Sequence, residues 1–181
     1  MTRRLLAVLI AGAFAATPSA LHAQLKPSIS VAGGIAVPLS DLADNVDAGY
    51  NLAGAVSFGA PLVPVGVRLE VGYNGFNGKS SLTSTGKASI LSGTVNATLA
   101  LGPSGASPYL IGGVGMYRRQ LTEQGFADDT KSVAGLNGGA GFRFPLGTMS
   151  TFVEARYHVL LGNKDDFTNI SYIPITFGVN F

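Results

Sequence analysis

The chain has 181 residues with no cysteine and no tryptophan, 25 glycines, and only 12% charged side chains against 46% hydrophobic ones. That balance is too apolar for an ordinary soluble domain, and the lack of cysteine excludes disulfides, thiolate metal sites and a lipid-modified cysteine. Twelve Lys plus Arg face ten Asp plus Glu; without Arg3 and Arg4 the two sets balance, so a nucleic-acid partner has no electrostatic support.

Arg3 and Arg4 precede an apolar run from Leu5 to Ala16, and a small-residue stretch then leads to Leu21-His22-Ala23-Gln24. This is the layout of a cleavable secretory signal peptide over residues 1–23, with the cut after Ala23. The apolar run is too short for a spanning helix, which needs about 20 residues. Residues 24–181 are expected to form one domain.

From there the chain alternates between apolar and small or polar residues, the two-residue period of strands with unlike faces. Ile29 to Val37 and Tyr50 to Phe58 show it weakly, because glycine and alanine occupy one face. The third segment sets Val65, Val67, Leu69, Val71 and Tyr73 against Gly66, Arg68, Glu70, Gly72 and Asn74. The fourth sets Leu91, Val95, Ala97, Leu99 and Leu101 against Ser92, Thr94, Asn96 and Thr98. In Pro108 to Arg118 the faces are ambiguous, since Tyr109, Ile111 and Tyr117 compete with Leu110, Val114 and Met116. Val133 to Phe144 is again glycine-rich. In the seventh, Val153, Ala155, Tyr157, Val159 and Leu161 oppose Glu154, Arg156 and His158, and in the last Ile173, Ile175, Phe177, Val179 and Phe181 oppose Pro174, Thr176, Gly178 and Asn180.

Eight strands of about nine to thirteen residues fit the length of a tilted strand crossing a bilayer. Turn-like connections at Ala60 to Pro64, Gly102 to Ser107 and Pro145 to Met149 alternate with longer polar ones at Pro38 to Gly49, Asn77 to Lys87, Arg119 to Lys131 and Gly162 to Ile170. The predicted fold is therefore all-β, an eight-stranded antiparallel up-and-down transmembrane β-barrel, with its long loops outside. A soluble barrel of the lipocalin kind shares the period and strand number. It would turn the apolar stripes inward and leave too few charges to cover a solvated wall.

In the membrane reading Arg68, Glu70, Arg143, Glu154, Arg156 and His158 point into the lumen, where ions are costly unless they pair. Three arginines facing two glutamates, with asparagines and Thr98 nearby, are expected to form a polar network, given room by Gly66, Gly72, Gly139 and Gly141. A gate or narrow ion path is the alternative role for that cluster. Those of Tyr50, Tyr73, Tyr109, Tyr117, Tyr157 and Tyr172 that face outward suit interfacial girdles.

The final segment, alternate apolar residues ending on Phe177, Val179 and Phe181, resembles the carboxy-terminal signal of bacterial outer-membrane proteins. Over residues 24–181 the chain resembles the outer-membrane β-barrel domain family that includes OmpA-like and OmpX-like proteins and opacity-type porin relatives, with glycine-rich strands such as Pro108 to Gly115 and Gly138 to Arg143. The resemblance implies an integral place in the outer membrane of a Gram-negative cell envelope, contact with its lipids and lipopolysaccharide, and reading of Phe177 and Phe181 by the barrel-assembly machinery. Members of that family differ in activity, so fold does not settle function.

No G-x-S-x-G elbow, H-E-x-x-H pair or phosphate-binding loop occurs, and no catalytic, cofactor or metal site is expected. The glycine run at 138–141 lies inside a strand. Asp41, Asp44, Asp47, Asp128, Asp129, Asp165 and Asp166 fall in outer loops, where carboxylates are either solvated or meet divalent cations. The expected function is non-enzymatic: a structural or adhesin-like surface-interaction barrel. The alternatives are a narrow porin-like channel for small solutes and, further off, a lipid-modifying enzyme of the outer leaflet.

Overall fold

The alternating segments become strands, and the strands close. A computed structural model of the chain describes residues 26–59, 64–79, 87–102, 105–122, 129–162 and 170–181. It contains β1 (Lys26–Leu39), a short helix α1 (Ser40–Asn45), β2 (Gly49–Gly59), β3 (Val65–Asn77), β4 (Lys87–Ala100), β5 (Ser107–Thr122), β6 (Asp129–Leu146), β7 (Met149–Leu160) and β8 (Ile170–Asn180). Each strand pairs antiparallel with its neighbours in sequence, and β1 pairs with β8 to complete a closed eight-stranded barrel. The expected signal peptide lies outside the described residues.

Closure fixes the girth. Following paired residues once around from Ile29 passes Val56, Leu69, Val95, Val114, Leu136, Val159 and Ser171 and arrives at Leu39, ten positions further along β1. With about 3.3 Å per residue and about 4.8 Å between strands, that stagger over eight strands tilts them by about 40° and sets a radius of about 8 Å. Every residue on this circuit except Ser171 is aliphatic.

The two faces are chemically opposite. Val71, Leu52, Val95 and Val114 are each more than half exposed, whereas Arg68, Glu154, Arg156, Asn74 and Asn96 are buried in the lumen. An exterior of this kind is stable only against hydrocarbon, which disposes of the lipocalin-like alternative. Closure also satisfies the backbone, since each strand has a neighbour on both sides and none presents a free edge to lipid.

β5, ambiguous by pattern, turns Tyr109, Ile111 and Tyr117 inward and Leu110, Val114 and Met116 outward. Of the tyrosines, Tyr50, Tyr73 and Tyr157 face the membrane, and Tyr109, Tyr117 and Tyr172 fill the lumen. The Tyr50 ring lies over Gly75 of the paired strand, where a Cβ would occupy the space of the ring.

Several strands outrun their expected lengths: β5 has 16 residues and β6 has 18. Spanning an apolar band about 25 Å tall at this tilt takes about ten residues, so the β5–β6 hairpin continues beyond it. The outward residues there change accordingly, from Met116 and Leu136 to Arg118, Gln120, Ser132 and Thr130. The connection expected from Arg119 to Lys131 contracts to residues 123–128 because its flanks are long enough to keep pairing, through Leu121 and Asp129. At the other end the β6–β7 turn is reduced to Gly147 and Thr148, with Leu146 paired to Met149. Gly147 holds φ at 62°, the left-handed conformation that such a tight reversal requires.

The first long connection contains a structure that alternation cannot reveal. At Ser40, which has φ of 49°, the chain enters α1 and folds back over the barrel mouth. Val46 N donates to Leu42 O at 3.1 Å, and Asp47 N to Asn77 O at 2.9 Å. Leu42 and Val46, one helical turn apart, join Ala36, Phe76, Ala88, Ile90, Leu160 and Ile170 in an apolar cluster capped below by Tyr117 and Tyr172.

Candidate functional site

The lumen is stratified, and its central layer is ionic. On β3 the order is Arg68 then Glu70; on β7 it is Glu154 then Arg156. Both strands are odd-numbered, run in the same direction and stand half a circumference apart. The reversed order therefore places opposite charges face to face across the barrel. Arg68 Nη1 donates to Glu154 Oε2 at 2.8 Å, and Arg156 Nη2 donates to Glu70 Oε1. Arg156 Nε lies 2.8 Å from Glu154 Oε1, and Arg68 Nη1 lies 3.9 Å from Glu70 Oε2. The four charges sum to zero and form a closed circuit in which each ion has two counter-ions, the arrangement that repays desolvation in a low-dielectric interior.

Neighbours hold the circuit in place. Tyr109 donates its hydroxyl to Glu154 Oε2 at 2.7 Å. The Arg68 guanidinium lies 5.3 Å from the Phe152 ring centre and 5.7 Å from that of Tyr109, within cation–π range. Glycines make the space: a Cβ on Gly139 would meet the Ala155 carbonyl and Arg156 itself, and one on Gly141 would enter the Tyr109 ring.

Above this brace is a neutral layer. His158 Nδ1 is 3.0 Å from the Tyr117 hydroxyl, and its ring stacks on Tyr172 at 4.8 Å with 15° between planes. Asn51 donates to Asn74 at 2.7 Å, and Asn74 to the Tyr172 hydroxyl at 3.3 Å. The apolar cluster under α1 lies above that.

The six residues singled out by pattern thus occupy different heights. Arg68, Glu70, Glu154 and Arg156 come together, His158 sits one layer above them, and Arg143 lies below. Arg143 is half-buried near the short-turn end, its guanidinium 5.5 Å from the Tyr109 ring centre, and it has no ion-pair partner among the described residues. The expected network of three arginines and two glutamates is a network of two and two. Sequence reasoning also missed Tyr109, Tyr117, Tyr172 and Asn51 as partners; their inward parity was the available signal, and in β5 it was blurred.

Among the described residues no group of three histidine or carboxylate side chains converges as a metal site would require. Asp41, Asp44 and Asp47 lie along the β1–β2 connection, while Asp128, Asp165 and Asp166 are outside the described residues. Phe177 and Phe181 face outward near the short turns, at 56% and 63% exposure. The backbone of Phe181 exchanges hydrogen bonds with Ile29 at 2.8 and 3.3 Å.

A closed barrel with an apolar exterior and a charged, filled interior defines an integral outer-membrane barrel protein. The chain belongs to the outer membrane protein beta-barrel domain family, whose model matches residues 6–181, and its place is accordingly in the bacterial outer membrane. Among solved structures it is similar to Neisserial surface protein A, with a TM-score of 0.60, 16% identity, and coverage of 85% of this chain and 95% of that one. It is likewise similar to a major outer membrane protein of Thermus thermophilus, with a TM-score of 0.60, 13% identity, and coverage of 88% and 99%. The attachment invasion locus protein Ail of Yersinia pestis, in complex with the heparin analogue sucrose octasulfate, gives a TM-score of 0.53, 20% identity, and coverage of 87% and 99%. At these identities the likeness is one of fold. No curated protein matches the chain.

Proposed function

We propose that this protein is a non-conducting, non-enzymatic surface-interaction barrel whose transmembrane part is a rigid post for its long loops. The observation that carries the reading is the obstruction of the lumen at two heights. The Arg68–Glu154 and Arg156–Glu70 pairs bridge it at mid-depth, and the apolar cluster containing Leu42 and Val46 covers it at the long-loop end. An eight-stranded barrel leaves an interior that side chains fill, and among the described residues the layer above the neutral one is apolar. His158, the one histidine of the described strands, is 3% exposed inside the lumen and hydrogen-bonded to Tyr117, and Glu70 and Glu154 are held by arginines, all away from any lipid substrate. In planar bilayers the purified protein is expected to give no discrete conductance above the lipid background; reproducible single-channel steps would overturn the reading in favour of a porin-like one.

One wall favours anionic partners. Lys79, Lys87, Arg118, Arg119 and Lys131 gather at the long-loop end of β3 to β6, and Lys87 and Arg118 are exposed just above the apolar stripe. Cations at that height face the phosphates of the outer leaflet, so lipopolysaccharide is the partner this wall suits. Ail was crystallised with a sulfated sugar, which makes heparin the comparison probe. Reversing Lys87 and Arg118 to Glu should weaken retention on lipopolysaccharide-coated beads without changing folding. The terminal strand, with Phe177 and Phe181 outward, is the part proposed to meet the assembly machinery.

A further inference from the structure

We infer that the short-turn mouth of the barrel is a binding vestibule for a small oxyanion, carboxylate or phosphate, with Arg143 as its charged anchor. A cavity of about 420 Å³ opens there below the ionic brace, with Tyr109 at its inner end. Its polar lining includes the hydroxyls of Ser28, Ser57, Thr98, Thr148 and Ser150, the Asn180 amide and the Arg143 guanidinium, with the Phe181 backbone at the rim, and no Asp or Glu side chain among the described residues lines it. The brace is neutral by itself, and no Asp or Glu side chain among the described residues pairs with Arg143. Its Nε is buried without a hydrogen-bond partner there.

The guanidinium is not a loose surface group. It is held over Tyr109, and Tyr109 is fixed in turn by its bond to Glu154 and by the space at Gly141. A planar fork of donors held in one orientation matches the two oxygens of a carboxylate or phosphate, and the ring of hydroxyls supplies neutral donors around it. Asn180 is oriented by hydrogen bonds to Ser150, 3.1 Å to the hydroxyl and 3.4 Å to the carbonyl. The short turns put this mouth on the periplasmic side. Two sources share the chemistry: free oxyanions of the periplasm and phospholipid headgroups of the inner leaflet. The site is independent of whether the upper lumen conducts.

The test uses the full chain refolded in zwitterionic micelles, with Arg143 Nε–H and backbone amides observed by NMR. Titration with inorganic phosphate should shift the Arg143 side-chain signal saturably, with changes confined to the mouth, and chloride at equal ionic strength should not. Arg143→Gln should lose affinity by about tenfold or more, the size of a lost charge-assisted hydrogen bond, while keeping the gel mobility of the folded form; Ser132→Ala, exposed at the opposite end of β6, should retain it. Saturation by phosphate identifies a soluble ligand, and shifts only on adding phosphatidylglycerol identify a headgroup. Linear shifts with both, an equal response to chloride, or an unchanged response in folded Arg143→Gln would each overturn the inference. If Arg143→Gln does not fold, Arg143→Lys, which keeps the charge but not the fork, should bind phosphate more weakly, and unchanged binding would refute the anchor.

Discussion

Exchanging the charges on one wall of the barrel tests the cross-lumen brace directly. The double substitution Arg68→Glu with Glu70→Arg places a carboxylate opposite Glu154 and a guanidinium opposite Arg156, so both buried pairs become like-charged. Breaking one buried pair costs about 3–5 kcal/mol; two broken pairs reach about 6–10, comparable to a typical total stability of about 5–15 kcal/mol. The two-site variant is therefore expected not to fold. Adding Glu154→Arg with Arg156→Glu restores opposite charges at both heights. Recovery should fall short by about 1–3 kcal/mol, the cost of a buried donor left unmet, because Tyr109 loses the carboxylate to which it now donates at 2.7 Å. Urea unfolding in detergent, followed by circular dichroism and heat-dependent gel mobility, gives the order wild type, four-site, two-site. A two-site variant as stable as wild type, or a four-site variant no better than the two-site one, would refute the reasoning.

Glu154→Gln alone should cost about 3–5 kcal/mol and more than Glu70→Gln, because Glu154 has close contacts with two arginines and Tyr109, as urea midpoints will show. Gly141→Ala should destabilise by about 1–3 kcal/mol through overpacking against Tyr109, whereas Gly93→Ala, where a Cβ meets nothing within 4 Å, should change stability by less than about 0.5 kcal/mol in the same assay. Leu69→Arg, on the aliphatic circuit, should lower stability in vesicles by about 2–4 kcal/mol, while Gln120→Arg above the band should cost about 0–1. Phe181→Ala should reduce folded protein in the outer membrane of expressing cells while leaving detergent refolding intact; equal loss in both would assign Phe181 to stability alone.

Strand number, closure and the inward charges were legible because hydrocarbon outside and polar groups inside impose a period of two on every strand. Height along the axis was not. Parity placed Arg143 and Arg68 on the same face, but only the stagger of ten residues puts Arg68 level with Glu154 and leaves Arg143 in the mouth. Nor could parity resolve β5, where Ile111 points inward and Gly112 outward, reversing the usual contrast. Helix α1 escaped detection because six residues carry too little periodicity, and Leu42 is buried by a barrel mouth that is itself assembled from distant strands.

The reversed order of charges on β3 and β7 also bears on how the barrel reaches its register. Slipping a strand by one residue turns its apolar face inward and is rejected at once, but a slip of two keeps every side chain on its proper face. Lipid cannot tell that error from the native ladder. The brace can, since a shift of two between the walls brings Arg68 opposite Arg156, or Glu70 opposite Glu154. The four ions thus act as a vernier, reporting across the lumen an alignment error to which the membrane-facing wall is blind.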